Sequence, residues 1–438
     1  MIQSMAVRKK ILEVFRTIGD VQVAVFARSI LAVSLCLFST TKLFALGNAI
    51  NPINADQVIT VLEVDNISPK IFQLKERLEI TPNDEDSTRE LINEYLLISK
   101  KTGDERYLGY AMAIVNYWPE QTMPESIQLL QARIIQRQHH FEEALQIINR
   151  VLELNPRSGE AYLLAAYIYM AQGELEAAVR YCSQATRWLG AKEGLNCSSR
   201  VQGLSGQGEK AFQILRVVLN EAADIADPEQ TESYLNLAEI ATRLGKEKDA
   251  EKYFRFAIDV SNSQSSTPDP QAISGLADLL LSQNRYQECI DFLQAYASST
   301  QLPLIKIQIM LAKAALGREG EIEREQLENY FELEQLRNAD YSSGDRSSRG
   351  YVSRGYVSRD YASRDYARYL LEIENNPEQA FTVALDNWQT QREPDDLLVL
   401  VKSAQAANKY DDIADALAWR NAIGLEDQRL DTILSTFN

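Results

Sequence analysis

The chain has 438 residues, with 45 Lys and Arg against 62 Asp and Glu, for a formal net charge of −17. That balance repels nucleic acid and acidic lipid surfaces, and so excludes both as partners of the folded body. An apolar content of 45% excludes wholesale disorder, and a count of only 19 Gly and 12 Pro points to helix rather than to a turn-rich β fold.

The first 50 residues stand apart. Arg8, Lys9, Lys10, Arg16 and Arg28 form a basic opening, and Ser29 to Thr41 (SILAVSLCLFSTT) follows without a charge. Thirteen helical residues rise about 20 Å, short of a bilayer core of about 30 Å. The length suits a secretory apolar region, with the small residues Ala45, Gly47 and Ala49 beyond it and cleavage expected after Ala49. The alternative is an uncleaved anchor extended by the upstream VQVAVFA. Cys36 is a poor lipoprotein site, because the bulky Leu35 precedes it. Cleavage implies a mature chain in the periplasm or cell envelope; retention implies one held at the inner membrane, touching the bilayer only through this segment. Residues 50–84 are expected to be an extended lead-in, with the β-prone DQVITVLEV at 56–64.

Internal self-similarity governs the remainder of the chain. Ala132 precedes Ala166 by 34 residues, and Ala144 precedes Ala178 by the same step. Tyr162, Ala165, Ala166 and Tyr169 share one helical face, Gly173 makes a turn, and Ala178, Cys182 and Ala185 line the facing stripe of a second helix. The pattern returns as Tyr234-Leu237-Ala238-Ala241, Gly245, Ala250-Phe254-Ala257, and again from Ile273 to Leu293. Looser copies lie at Leu91–Trp118, Ser198–Val218 and Leu397–Leu417. The steps from Ala178 through Ala211 and Ala250 to Cys289 are 33, 39 and 39 residues, the longer ones matching polar insertions at 222–230 and 261–270.

A period near 34 with small residues in register resembles the tetratricopeptide-repeat family over roughly Arg89 to Leu430. The resemblance implies an all-α fold, a right-handed α-solenoid of antiparallel helix pairs behind an N-terminal leader helix, and a protein or peptide partner in its concave groove. Repeats are expected over 85–336, regular from about Ser126 to Tyr296. A Tyr/Arg/Ser-rich loop follows at 337–365, then degenerate repeat-like helices at 366–438. Two runs, Thr102-Gly103-Asp104-Glu105-Arg106-Tyr107-Leu108-Gly109-Tyr110-Ala111 and Asn387-Trp388-Gln389-Thr390-Gln391-Arg392-Glu393-Pro394, are similar to runs in exported bacterial tetratricopeptide proteins of unassigned function.

The inner face of such an array comes from the first helix of each repeat, and there we place Arg133, Arg137, Tyr167, Met170, Glu239 and Arg243 as candidate partner-binding residues. A solvated helix face is the competing reading for each. No Lys/Asn/Arg set resembles the carboxylate clamp of some family members. Cys182 and Cys197 fall on adjacent helices of successive repeats, so an oxidising compartment favours a disulfide; two small buried apolar residues are the alternative.

Ser348 to Tyr369 repeats every five residues through Tyr351, Tyr356, Tyr361 and Tyr366, a period that fits neither a helix face nor one side of a strand. It reads as a duplicated loop rather than a nucleic-acid groove, given Asp360 and Asp365. The only two histidines, His139 and His140, are adjacent and point about 100° apart on a helix, so they cannot chelate one metal. They are expected in an inter-helix turn. Neither metal nor cofactor is expected, and no nucleophile elbow, phosphate loop or dinucleotide fingerprint is present. The chain therefore reads as a non-enzymatic scaffold for protein–protein interaction. The alternatives are a membrane-anchored assembly or chaperone-like factor, and a polysaccharide or small-ligand binder using Tyr and Trp.

Overall fold

A computed structural model describes residues 69–221, 228–264, 269–297, 302–318, 320–342 and 361–437. The expected leader, the β-prone 56–64, and Tyr351 and Tyr356 of the five-residue repeat lie outside the described residues. The chain divides into two compact units, Met1–Leu91 and Ile92–Asn438.

In the first unit, α1 (Pro69–Ile80) buries Ile71, Leu74 and Leu78 along one stripe. The lead-in expected to be extended is therefore helical from Pro69, where the i, i+3, i+7 spacing of these three residues serves a helix and not a strand. A second helix, α2 (Glu85–Thr102), begins with Glu85 and Asp86 in its first turn, where acidic groups favour the helix N-terminus, and from Ile92 onward it belongs to the second unit.

The second unit is a right-handed α-solenoid of antiparallel pairs, with no strand among its described residues. After α3 (Arg106–Val115) the hairpins are α4 (Glu125–Arg137) with α5 (Phe141–Leu154), α6 (Gly159–Ala171) with α7 (Leu175–Leu189), α8 (Ala191–Leu204) with α9 (Gly208–Glu221), and α10 (Pro228–Arg243) with α11 (Glu247–Gln264). Then come α12 (Pro270–Ser282) with α13 (Tyr286–Ala297) and α14 (Pro303–Ala315) with α15 (Glu321–Ser342). The pairing thus continues past Leu302, where sequence regularity fades. Two further hairpins, α16 (Tyr361–Glu372) with α17 (Pro377–Thr390) and α18 (Pro394–Ala406) with α19 (Ala414–Ile423), precede a last helix, α20 (Gln428–Leu434).

One local device builds every hairpin. Each reverses through a residue of positive φ: His139, Gly173, Gly206, Gly245, Asn284, Gly317, Asn375 and Asn408. The residue after it closes the first helix, as in Glu174 N donating to Tyr169 O at 2.8 Å and Lys246 N to Ala241 O at 2.8 Å. Its own carbonyl starts the second helix by accepting from Ala144, Ala178, Ala211, Ala250 or Cys289. Those five small residues are fully buried, and so, twelve positions earlier, are Ala132, Ala166, Ser199, Ala238 and Ala277. Small on small lets the paired helices approach closely, and large neighbours such as Phe141, Phe254 and Leu293 fill the flanks. Cys289 is the small residue of its repeat and a buried free thiol, with Sγ 3.8 Å from the Ala277 carbonyl.

Within the regular hairpins, α8 has an unusual core face. It buries Gly194, Cys197, Ser199, Val201 and Gly203, little apolar surface for a central helix. Its backbone compensates by close approach: a Cβ added at Gly194 would sit 2.0 Å from Thr186 Oγ1 of α7. Cys182 of α7 and Cys197 of α8 form a disulfide, with their Cα atoms 5.6 Å apart. Closing this 15-residue separation should contribute about 3 kcal/mol by restricting the unfolded chain. Thermal unfolding with and without reductant is expected to show that loss, and non-reducing mass spectrometry a bonded peptide pair. Two thiols at full reactivity in the oxidised chain would contradict it.

Candidate functional site

The first helices of four successive repeats carry the candidate residues. Arg133 of α4 is exposed. Arg137, one turn on, donates from Nη1 to the Leu96 carbonyl at 2.8 Å and so tethers α4 to α2. Tyr167 of α6 donates its hydroxyl to Glu232 Oε1 at 2.8 Å, and the Arg200 guanidinium of α8 lies 5.8 Å from its ring centre. Glu239 and Arg243 follow on α10. These groups form one line across the repeats, with Arg200 and Glu232 added to the residues anticipated from sequence. Met170 does not belong to the line. It is buried with Ala166, Cys182 and Val201, because it follows Ala166 by one helical turn and shares its core-facing side.

The line is not an open trough. The C-terminal helices sit on it, touching the hairpin turns one after another. His139 lies against the Gln391 side chain. Arg392 N donates to the Ala171 carbonyl at 2.8 Å, and Trp419 Nε1 to the Gly173 carbonyl at 3.3 Å. A Cβ on Gly206 would meet the Gly424 carbonyl oxygen at 2.8 Å, and one on Gly245 would collide with the Gln428 side chain. The acceptors lie at or just beyond the α6 C-terminus, where unsatisfied carbonyls collect partial negative charge. Farther along, Arg368 of α16 grips Asp278 of α12 through two bonds of 2.7 and 3.0 Å.

Charge is arranged unevenly across this seam. Burial depresses Arg243, with Glu239 and Asp427 opposing. Burial also lifts Glu239, and Arg200 and Arg243 offset that only in part. Arg200 is held above its ordinary value, because Glu239, Glu232 and Glu393 together outweigh burial. Among the described residues neither Arg200 nor Arg243 has a direct ion-pair partner, and Arg243 Nε is buried without an acceptor. On the C-terminal side the pairing is direct: Arg429 binds Asp395 at 2.9 Å and Asp427 at 2.7 Å. Burial works against Asp395, yet Arg429 and then Arg364 bring its carboxyl down to about 2. No group of three His, Cys, Asp or Glu side chains suited to a metal occurs among the described residues. The arrangement offers opposed charges, hydrogen-bond donors and one aromatic ring, which is recognition chemistry.

Two segments match known sequence families: residues 137–191 and 231–264 each match a tetratricopeptide repeat. They cover α5 with the α6–α7 hairpin and most of the α10–α11 hairpin. The chain carries tetratricopeptide repeats. No curated protein sequence matches it. Among solved structures it is similar to PilW, a type IV pilus biogenesis factor, at 17% identity and TM-score 0.36, over 50% of this chain and 95% of that one. It is also similar to pilF of Pseudomonas aeruginosa at 18% identity and TM-score 0.34, over 48% of this chain and 91% of the other. A tetratricopeptide repeat protein of Parabacteroides merdae gives 15%, TM-score 0.35, and coverage of 64% and 95%. At these scores the likenesses carry no functional argument.

One buried acid makes the seam of this repeat protein sensitive to pH. Asp396 accepts from Asn387 Nδ2 and Glu393 N, both at 3.0 Å, and burial drives its carboxyl well above the usual range despite Arg364 at 3.5 Å, with Glu393 and Asp395 pushing the same way. Asp365 is pushed up to about 6, again by burial. Both bind protons in the folded chain where the unfolded chain has released them, so their contribution falls as pH rises from about 4 towards neutrality. His139 runs the other way: burial, then Arg364, hold it at about 4, so it costs stability as pH drops below 6.5. Two acids outweigh one imidazole, and melting temperature should rise modestly from pH 8 to pH 5. Asp396→Asn should flatten that slope; parallel melting curves for variant and wild type would refute the assignment.

Proposed function

We propose that this protein is an exported, non-enzymatic scaffold that binds a protein partner in the cell envelope through the inner face of its repeats. Tetratricopeptide-repeat proteins mediate protein–protein interaction, and this chain carries the repeat. The observation that carries the finer reading is the line of Arg133, Tyr167, Arg200, Glu239 and Arg243 across α4, α6, α8 and α10. One or two charged or aromatic groups per repeat suit an extended segment read residue by residue. Export is supported by the basic and then apolar leader ahead of the repeats and by a cysteine pair placed for oxidation. None of the described helices is long and apolar enough to cross a membrane.

Arg133→Glu tests the inner face, because Arg133 is exposed and its reversal should leave the melting temperature unchanged. Tagged wild type and variant, recovered from native envelope and analysed by mass spectrometry, are expected to share a fold but differ in one captured protein set. That set should be retained by wild type and weakened roughly tenfold in the variant, about 1.4 kcal/mol. Identical sets, or recovery of polysaccharide without protein, would overturn the reading.

A further inference from the structure

The C-terminal helices have a hydrophobic core of their own. Ala367, Phe381, Trp388, Leu397, Leu400 and Leu430 belong to one buried cluster confined to α16–α20 and their turns. What joins this block to the rest differs between its two ends. At α16 the contact joins an apolar core to direct ion pairs: Tyr369 packs with Ile307 and Met310 of α14 and with Leu327 and Phe331 of α15, while Arg368 holds Asp278 of α12 and Arg324 of α15 pairs with Glu374. The Phe331 ring meets Tyr366 at 4.9 Å and Tyr369 at 5.1 Å in tilted contacts.

At the other end the contact is polar. Arg392 and Trp419 each give one hydrogen bond, to Ala171 and Gly173, and Gly424 and Gln428 abut Gly206 and Gly245. Charges face one another there without touching: Arg200 feels Glu393, and Arg243 feels Asp427 and Asp395. Ile423, against the Met170 and Cys182 cluster, and the Trp419 ring over Gly173 add small apolar contacts. Interfaces of this polar kind permit relative motion of the parts they join, whereas a buried apolar contact holds.

We propose that residues 361–437 form a hinged cover, held at its hinge on α12, α14 and α15 by an apolar core and direct ion pairs and at its latch on the turns of α6–α11 by single hydrogen bonds and charges held apart, and that lifting it opens Arg200 and Arg243 to an acidic segment of a protein partner. The cover itself supplies the template for that ligand. The acids that now face the two arginines, Glu393, Asp395 and Asp427, lie at the starts of α18 and α20. A partner must bring comparable carboxylates to the same place. The inner face is thus closed in the resting chain, and binding competes with the chain's own acidic turn. This inference rests on the inner face being the binding face.

The test uses the full chain with spin labels at Lys248→Cys and Thr432→Cys, two exposed positions near the Gly245–Gln428 contact. The remaining described cysteines are bonded or buried. Raising salt from about 0.1 to about 1 M shortens the screening length from roughly 10 to 3 Å, which weakens the separated charges of the latch more than the apolar core and the close, partly buried Arg368–Asp278 pair of the hinge. Pulsed distance measurement should show a longer separation whose share grows roughly threefold. Gly206→Ala should have the same effect, since its added Cβ strikes the Gly424 backbone of the cover. Gly317→Ala has the same left-handed backbone with open space beside it, and it should leave the distance unchanged. A synthetic peptide of residues 387–400 should bind the opened variant about tenfold more tightly than wild type. One short distance at every salt, and in every variant that still melts cooperatively, would make the block a fixed end of the solenoid and overturn the proposal. Opening with equal peptide affinity for both chains would overturn the gating, while leaving capture by Arg133 a separate question.

Discussion

Everything in the second unit depends on reversing the chain in a single residue. A left-handed backbone position between two helices closes the first, starts the second and fixes their offset, so that small residues meet at the crossing. Where the position is Gly the cost is lowest; Asn tolerates it through its short polar side chain, and His139 occupies it at some expense. Gly173, Gly206 and Gly245 serve twice, once for φ and once for room, since the C-terminal helices lie where any Cβ would be.

The seam that results mixes two kinds of energetics. Apolar burial at Phe331 and Tyr369 is short-ranged, insensitive to salt and lost only by separating the surfaces. Opposed charges held apart contribute less, fade with ionic strength and leave water between them. The buried Arg243 is the clearest case. A guanidinium without a direct partner is costly, and the cost falls if a carboxylate comes within reach. The array therefore holds an unsatisfied charge at the place where a ligand would arrive, and the chain's own acids compensate it only at a distance.

Much of the array was legible in the sequence because its determinants are local. The steps of 34, 33, 39 and 39 residues between small positions recur between the left-handed turns from His139 to Asn284. The Cys182–Cys197 juxtaposition followed from placing each on neighbouring helices. Met170 was misplaced because it differs from Tyr167 by less than one full turn, and periodicity alone does not say which of two faces is the core. Arg200 was hidden in a helix poor in apolar residues, and Glu232 in the first turns of α10. The cover was illegible for a different reason. Its contacts join residues more than 200 positions apart, such as Gly173 and Trp419, through backbone carbonyls that every sequence possesses. The one local trace was the run Asn387-Trp388-Gln389-Thr390-Gln391-Arg392-Glu393-Pro394. It supplies Asn387 to Asp396 and Arg392 to Ala171, and so adds docking contacts to the end of α17.

The third cysteine of the described chain bears on how the disulfide persists. Thiol–disulfide exchange needs a thiolate that can reach a sulfur. Cys289 is buried as the small residue of its hairpin, and that burial raises its thiol to about 12. At neutral pH it is almost wholly protonated, and it is enclosed in a separate core from the one that holds Cys182 and Cys197. The array thus carries a cross-link and a spare sulfur that do not exchange. The same alanine-like position that makes the hairpin compact protects the oxidised chain from scrambling its own bond.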